Sequence, residues 1–280
     1  MPPTTPQPTT RTAVAPVAGV RFFLGTHQPG WLAHARVPLF VSDRRLRRYR
    51  RLPVAATVWA LDSGGFTELT TFGTWSHGPS PAQYVAHVRR YLDHVGQLAW
   101  AAPQDWMCEP WVVRRTGLSV AEHLRRTVDN YLRLRDLAPD LPFIPVVQGW
   151  QISDYLHCVD LYTAAGVDLT AAPVVGLGSV CRRQATGEAE AIVTELRAAG
   201  VARLHGFGIK ILGLSRYGHR LTSADSMAWS VAARHRPPLP GCAHTTCANC
   251  YRFALAWRTD LLATLPDHEQ LSLFDREDAA

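Results

Sequence analysis

Short apolar runs alternate with amphipathic stretches along most of this chain, and that alternation restricts its fold more than any other feature. The runs are Arg21 to Leu24, Pro38 to Val41, Val58 to Leu61, Leu98 to Ala102, Phe143 to Val147, Val174 to Leu177, Leu204 to Phe207 and a weaker one near Leu221. They are too short for helices and apolar enough to be buried on both faces, as the strands of a parallel sheet are. Between them, Pro81 to Leu98, Val120 to Leu137, Ile152 to Ala165 and Glu188 to Ala199 repeat apolar residues at helical spacing. Strands and helices in alternation make βαβ units. About eight strands in roughly 230 residues predict an α/β chain folded as a (β/α)8 TIM barrel, with a doubly wound open sheet as the alternative.

A chain of 280 residues, 47% hydrophobic and 19% charged, buries a substantial core and is neither disordered nor fibrous. Residues 1–19, rich in Pro and Thr, read as a disordered tail. The barrel is expected over 20–235, a zinc-binding segment with a terminal helix over 236–265, and a flexible tail over 266–280. No apolar run approaches the roughly 18 to 20 residues that span a bilayer. The N-terminus has no basic start followed by an apolar block, so it does not read as a secretory signal and the cytoplasm is the expected compartment. The formal charge is +6, and Lys210 is the only lysine. An arginine-only excess suits a polyanionic partner, and a GC-rich genome gives the same lysine deficit.

A barrel keeps its chemistry at the C-terminal strand ends. Three of these ends carry a carboxylate: Asp62, Asp105 and Asp225. A single such Asp is an ordinary helix cap. Three converging on one pocket can divide into a nucleophile and an acid or base. Gly64, Gly65, Gly176 and Gly178 allow a flat ligand close to the backbone. Gln148 offers donors and an acceptor to a nucleobase edge.

Asp62-Ser63-Gly64-Gly65-Phe66 resembles the DSGGF/Y motif of tRNA-guanine transglycosylases. Other elements follow in the same order. Ala102 to Glu109 is similar to the segment holding that family's base-reading Asp, which places Asp105 in that role. Val147-Gln148-Gly149 resembles its VQG strand end, and Gly176-Leu177-Gly178 the glycine pair under the base. Leu204 to Gly208 resembles its LMGVG segment with His205 in place of Met, and Asp225 falls at the spacing of the nucleophilic Asp. The resemblance runs from about Asp62 to Cys250. It implies that Asp225 attacks C1′ of a guanosine, that Asp62 is the general acid and base, and that Asp105 and Gln148 read the purine edge. Backbone groups at Gly176, Leu177 and Gly178 support the base, and Ser63, Gly64 and His205 complete the implied substrate set.

Cys242, His244, Cys247 and Cys250 lie within nine residues and suit a tetrahedral structural Zn2+, with His268 as the other candidate for fourth ligand. The alternative is that these cysteines are merely buried. Arg44, Arg45, Arg47, Arg48, Arg50 and Arg51 crowd into eight residues with an interleaved tyrosine and no acidic counter-charge, as a phosphate-contacting face or a solvated one does. Arg182 and Arg183 are expected near the pocket. Trp59, Trp106, Trp150 and Trp229 read as core, with Trp106 or Trp150 as candidates to flank a flipped base.

Gln270-Leu271-Ser272-Leu273-Phe274 resembles the pentapeptide by which bacterial DNA polymerases and repair proteins dock on the sliding clamp, so Gln270, Leu271, Leu273 and Phe274 are candidate clamp-binding residues. The neighbourhood of Asp225, the shorter chain and this tail turn the resemblance from tRNA toward the DpdA group of DNA 7-deazaguanine modification. The expected activity is exchange of guanine in DNA for a 7-deazapurine such as preQ0, with other DNA-modification proteins as candidate partners. The alternatives are a tRNA-guanine transglycosylase and a non-catalytic, zinc-containing nucleic-acid-binding protein.

Overall fold

The computed structural model describes residues 19–265; Gln270–Phe274, His268 and nearly all of the expected N-terminal tail lie outside them. Eight parallel strands are present: β1 (Arg21–Thr26), β2 (Leu39–Ser42), β3 (Trp59–Asp62), β4 (Leu98–Ala101), β5 (Val146–Val147), β6 (Val175–Leu177), β7 (Leu204–Gly206) and β8 (Ser223–Ser226). Their order is β4-β3-β2-β1-β8-β7-β6-β5, a TIM-like curl. The remaining seam is bridged at Ala101 and Phe143, where the Ile144 N–H donates to the Ala101 carbonyl at 3.1 Å. Seven of the eight apolar runs become strands; the eighth strand begins two residues after the weak run at Leu221, at the polar Ser-Ala-Asp-Ser.

Side chains alternate across each strand. Phe23, Phe40, Ala60, Trp100 and Ile144 turn inward and form one aromatic-rich core. Their neighbours Phe22, Leu24, Leu39, Val41, Trp59 and Leu61 turn outward into the larger layer under the helices. The same alternation continues past the inner core, so Asp62 and Asp225 enter the barrel top from positions in step with Ala60 and Ser223.

The expected helices form at Pro81–His94, Val120–Leu137, Ile152–Ala164 and Gly187–Ala198. Ser80 opens the first with a capping box to Gln83, and Ser119 and Thr186 cap two others through backbone N–H groups. The first two crossovers depart from the pattern. Only a 3-10 turn (Pro29–Ala33) links β1 to β2, and a one-turn helix (Asp43–Leu46) begins the link to β3. The helix Tyr251–Ala263 supplies cover there: Trp257 packs on Phe22 with ring centroids 6.1 Å apart, and Tyr251 on Trp31 at 4.9 Å.

Asp43 does not cap that short helix; Ser42 occupies the cap position. Asp43 is fully buried and accepts from the Tyr91 hydroxyl at 2.7 Å, from His87 Nδ1 at 3.0 Å and from Arg47 at 3.3 Å. It therefore ties β2 to the helix Pro81–His94. Asp43→Ala strands these donors and is expected to lower stability by about 3 kcal/mol in urea unfolding; a change under about 0.5 kcal/mol, the surface-substitution range, means the bonds carry no weight.

Candidate active site

A cavity of about 1180 Å3 opens at the C-terminal ends of the strands. Asp62, Asp105, Gln148, Gly178 and Asp225 all line it, so five strand ends far apart in sequence meet in one chamber. Phe40 and Phe207 supply apolar wall, and Arg44, Arg45, Arg47 and Arg48 stand on one side.

Asp225 is nearly buried. Its Oδ1 accepts from the Gly208 N–H at 3.0 Å and lies 3.3 Å from His205 Nε2. His205 is fully buried among Phe23, Phe40, Trp100 and Phe207, and its Nδ1 is 2.9 Å from the Ser223 hydroxyl. A proton on Nε2 satisfies the carboxylate and leaves Nδ1 to accept from Ser223. His205 is thus a support beneath Asp225 rather than a wall of the cavity, a correction to its place in the substrate set.

Asp62 Oδ1 accepts from the Gly64 N–H at 3.0 Å. Burial pushes its carboxyl above the usual range; the Gly64 N–H and Ser42 oppose the shift, and the charges of Asp225 and Asp43 add to it. Gly64 has φ of +88°, and a Cβ there falls 2.6 Å from Arg44 Cγ, so the turn after Asp62 requires glycine. Asp105 is pushed up to about 7, chiefly by burial, against the Gln148 amide that donates to its Oδ2. Gln148 in turn packs where a Cβ on Gly178 falls, 2.2 Å from its Nε2.

The remaining expected substrate residues stand behind the lining. Ser63 is buried. The Phe207 ring lies 2.5 Å from where a Gly176 Cβ sits, and Leu177 points outward into the helix-covered core. Strand alternation turns Leu177 outward, whereas Gly176 faces inward but is covered by Phe207; of the Gly176-Leu177-Gly178 run, only Gly178 reaches the cavity.

The arginine run divides. Arg44 pairs with the buried Glu68, and Arg47 with Asp43 and Glu68 at 3.3 and 3.7 Å, so the fold supplies counter-charges that the run itself lacks. Arg45 and Arg48 are exposed at the cavity. Arg50 and Arg51 line a separate groove with Arg90 and His94. Arg182 lines the cavity, between the rings of Phe66 at 5.9 Å and Trp111 at 4.7 Å. Arg183 instead turns inward over Trp150. Trp106 lies under Arg126, and neither Trp106 nor Trp150 joins the lining; Trp59 and Trp229 are fully buried. Unanticipated lining residues include Met107, Glu109, Ser179 and Lys210. Lys210 carries a signal in the sequence, as the one lysine among 29 basic residues.

Cys242, His244, Cys247 and Cys250 form a second site, with ligand atoms all within 4.8 Å of one another. The cluster can hold a metal ion.

The model of one protein family, DpdA, described as DeoxyPurine in DNA protein A, matches residues 19–275. The chain belongs to this family. It is a family of DNA 7-deazaguanine transglycosylases. No curated protein matches the chain. The DpdA match spans both the cavity and the Cys/His cluster, and it turns the substrate expectation toward DNA.

The raised Asp105 carboxyl has a consequence for stability. The native chain holds this proton more tightly than the unfolded chain, so the group's contribution is full below about pH 4 and is lost as pH rises through about 7. Asp105→Asn is expected to be more stable than wild type above about pH 7, by at most about 4 kcal/mol, with the gap closing in acid. Urea unfolding across pH measures it; equal stabilities at high pH make Asp105 an ordinary solvated carboxylate.

Proposed function

We propose that the chain exchanges guanine in DNA for a 7-deazaguanine base such as preQ0, through a covalent glycosyl intermediate on Asp225. The observation that carries this reading is the unequal treatment of two carboxylates in one cavity. Asp225 is held by an N–H donor and an imidazole, which fix the aim of its carboxylate, whereas burial pushes Asp62 toward its protonated form. In the first step a carboxylate oxygen of Asp225 bonds to C1′, the C1′–N9 bond breaks, and guanine leaves with the electron pair and takes a proton from Asp62. In the second, N9 of the incoming base gives its proton to Asp62 and bonds to C1′, and Asp225 departs. Two displacements retain the anomeric configuration. Asp105 and Gln148 read the purine edge.

The target base must leave the helical stack to reach this chamber, so a flipped or single-stranded nucleotide is the substrate form. Arg45 and Arg48 at the rim are placed for phosphates, and Phe66, half exposed with Arg182 over it, gives a base a face to stack on. Gln270 to Phe274 remain a proposed clamp contact.

The test supplies labelled 7-deazaguanine with separate DNA and tRNA pools. DNA labelling and a denaturant-stable protein–DNA adduct are expected, and Asp225→Asn should abolish both. Asp62→Asn should slow exchange about 10²- to 10⁴-fold. Incorporation only into tRNA overturns the DNA reading. Unchanged activity in Asp225→Asn overturns the covalent mechanism, and no incorporation with unchanged DNA affinity favours a non-catalytic binding protein.

We assign structural Zn2+ to the Cys/His cluster. Three thiolates and an imidazole are a common closed zinc set, and Cys242 Sγ to Cys250 Sγ, at 3.9 Å, matches the edge of about 3.8 Å of a tetrahedron with Zn–S bonds of about 2.3 Å. His244 Nε2, 3.1 Å from Cys247 Sγ, is the fourth donor. A closed set leaves no open position for substrate, so the ion's role is folding. The protein should contain about one zinc per chain. Chelation should release the helix Tyr251–Ala263 from Phe22, seen as a lower Tm and faster proteolysis near residue 240. Full thermal stability without metal contradicts the assignment.

A further inference from the structure

One chain of hydrogen bonds leads away from the base-reading pair. The Gln148 amide donates to Asp105, Gln148 Oε1 lies 2.6 Å from Ser179 Oγ, and Ser179 Oγ lies 2.9 Å from Glu109 Oε2. Ser179 also accepts the Cys108 N–H at 2.8 Å. Gln148 is fully buried, and Ser179 and Glu109 are nearly so. Ser179 has φ of +55°, in the left-handed region that a serine seldom adopts, so the backbone accepts strain where this hydroxyl is placed.

A hydroxyl owns one proton and cannot donate to both neighbours. The chain therefore has two directions. In one, Glu109 is ionised and accepts a hydrogen bond from the Ser179 hydroxyl; Gln148 must then turn its NH2 to Ser179 and its carbonyl to Asp105, and Asp105 must carry a proton to meet it. In the other, Glu109 is a neutral acid and donates to Ser179, Ser179 donates to Gln148 Oε1, and the Gln148 NH2 donates to an ionised Asp105. The two directions present opposite faces to a base. An ionised Asp105 accepts from a purine edge that donates, as the N1–H and 2-amino groups of guanine do, and a protonated one favours an accepting edge.

We infer that Glu109, donating its proton through Ser179, fixes the direction of the Gln148 amide and so makes the pocket selective for a purine with a donating edge. Glu109 and Ser179 are positioning residues, since both act on the base through Gln148 and Asp105. The surroundings favour this direction. Burial pushes the Glu109 carboxyl up, against its own backbone N–H, Ser179, Arg183 and Arg182. Arg183 commits its guanidinium to the Ser179 carbonyl, the Tyr155 hydroxyl and Glu188, and Arg182 stacks on Phe66 and Trp111. Asp105, the other carboxyl on the chain, repels a second negative charge at Glu109.

This inference rests on the transglycosylase reading, and binding of free bases to the full chain separates the two. Wild type should bind guanine more tightly than 2,6-diaminopurine, whose N1 accepts. Glu109→Gln, neutral and of the same shape, should keep guanine affinity within about threefold and keep the preference, whereas Ser179→Ala should lose about tenfold for guanine and most of the preference. Melting temperatures of both variants check that they fold. Two results overturn the inference: Ser179→Ala with wild-type affinity and preference, or folded Glu109→Gln losing guanine as strongly as Ser179→Ala, which shows that a charge is needed at Glu109. A wild-type chain that binds neither purine overturns the transglycosylase reading and this inference with it.

Discussion

The floor of the cavity is a plug of aromatic rings, and the rest of the site stands on it. Phe23, Phe40 and Trp100 pack in the barrel interior, with Phe207 packed on them, beneath the cavity. His205 is a polar side chain set into this layer, and the rings leave it two outlets, Ser223 and Asp225. Orientation of the nucleophile in the proposed reaction is therefore decided by packing one level below the chemistry.

Outside the barrel the design is uneven. Where β1 and β2 lack full crossover helices, the last helix of the described chain returns to cover Phe22, and the Cys/His cluster sits at the start of that helix. Ser230 donates to the Ala248 carbonyl at 2.8 Å, and His27, a lining residue of the cavity, meets Asn249 between two of the cysteines. A metal there would brace both the outer layer and one wall of the active cavity, without a coordination place for substrate.

The barrel is legible in the sequence because parallel strands buried on both sides read as apolar runs, and seven of the eight do. The eighth, Ser-Ala-Asp-Ser, hides because its inward side chains, Ser223 and Asp225, are spent on the site. Asp62, Asp105, Gln148 and Asp225 are legible as strand-end polar residues and meet as expected. Gly176, Leu177 and His205 stand off the lining for two reasons that a motif does not carry: strand alternation turns Leu177 outward, and Gly176 and His205 face inward one layer below the cavity, against the aromatic rings. The arginine run divides because Glu68 pairs with part of it from another element, which leaves Arg45 and Arg48 exposed at the cavity. Glu109 and Ser179 gain their meaning only from contact with Gln148, which no local pattern encodes.

Four carboxylates line one chamber, and like charges in low dielectric cannot all ionise cheaply. The chamber resolves this by giving each a different partner. Asp225 receives an N–H and an imidazole, Asp62 a single N–H and a serine, Asp105 a neutral amide, and Glu109 a hydroxyl. Histidine at position 205 matters to the first of these. A methionine there fills the aromatic cage but offers no N–H, and Asp225 then depends on Gly208 alone. In this chain the side-chain support under the proposed nucleophile is that buried ring.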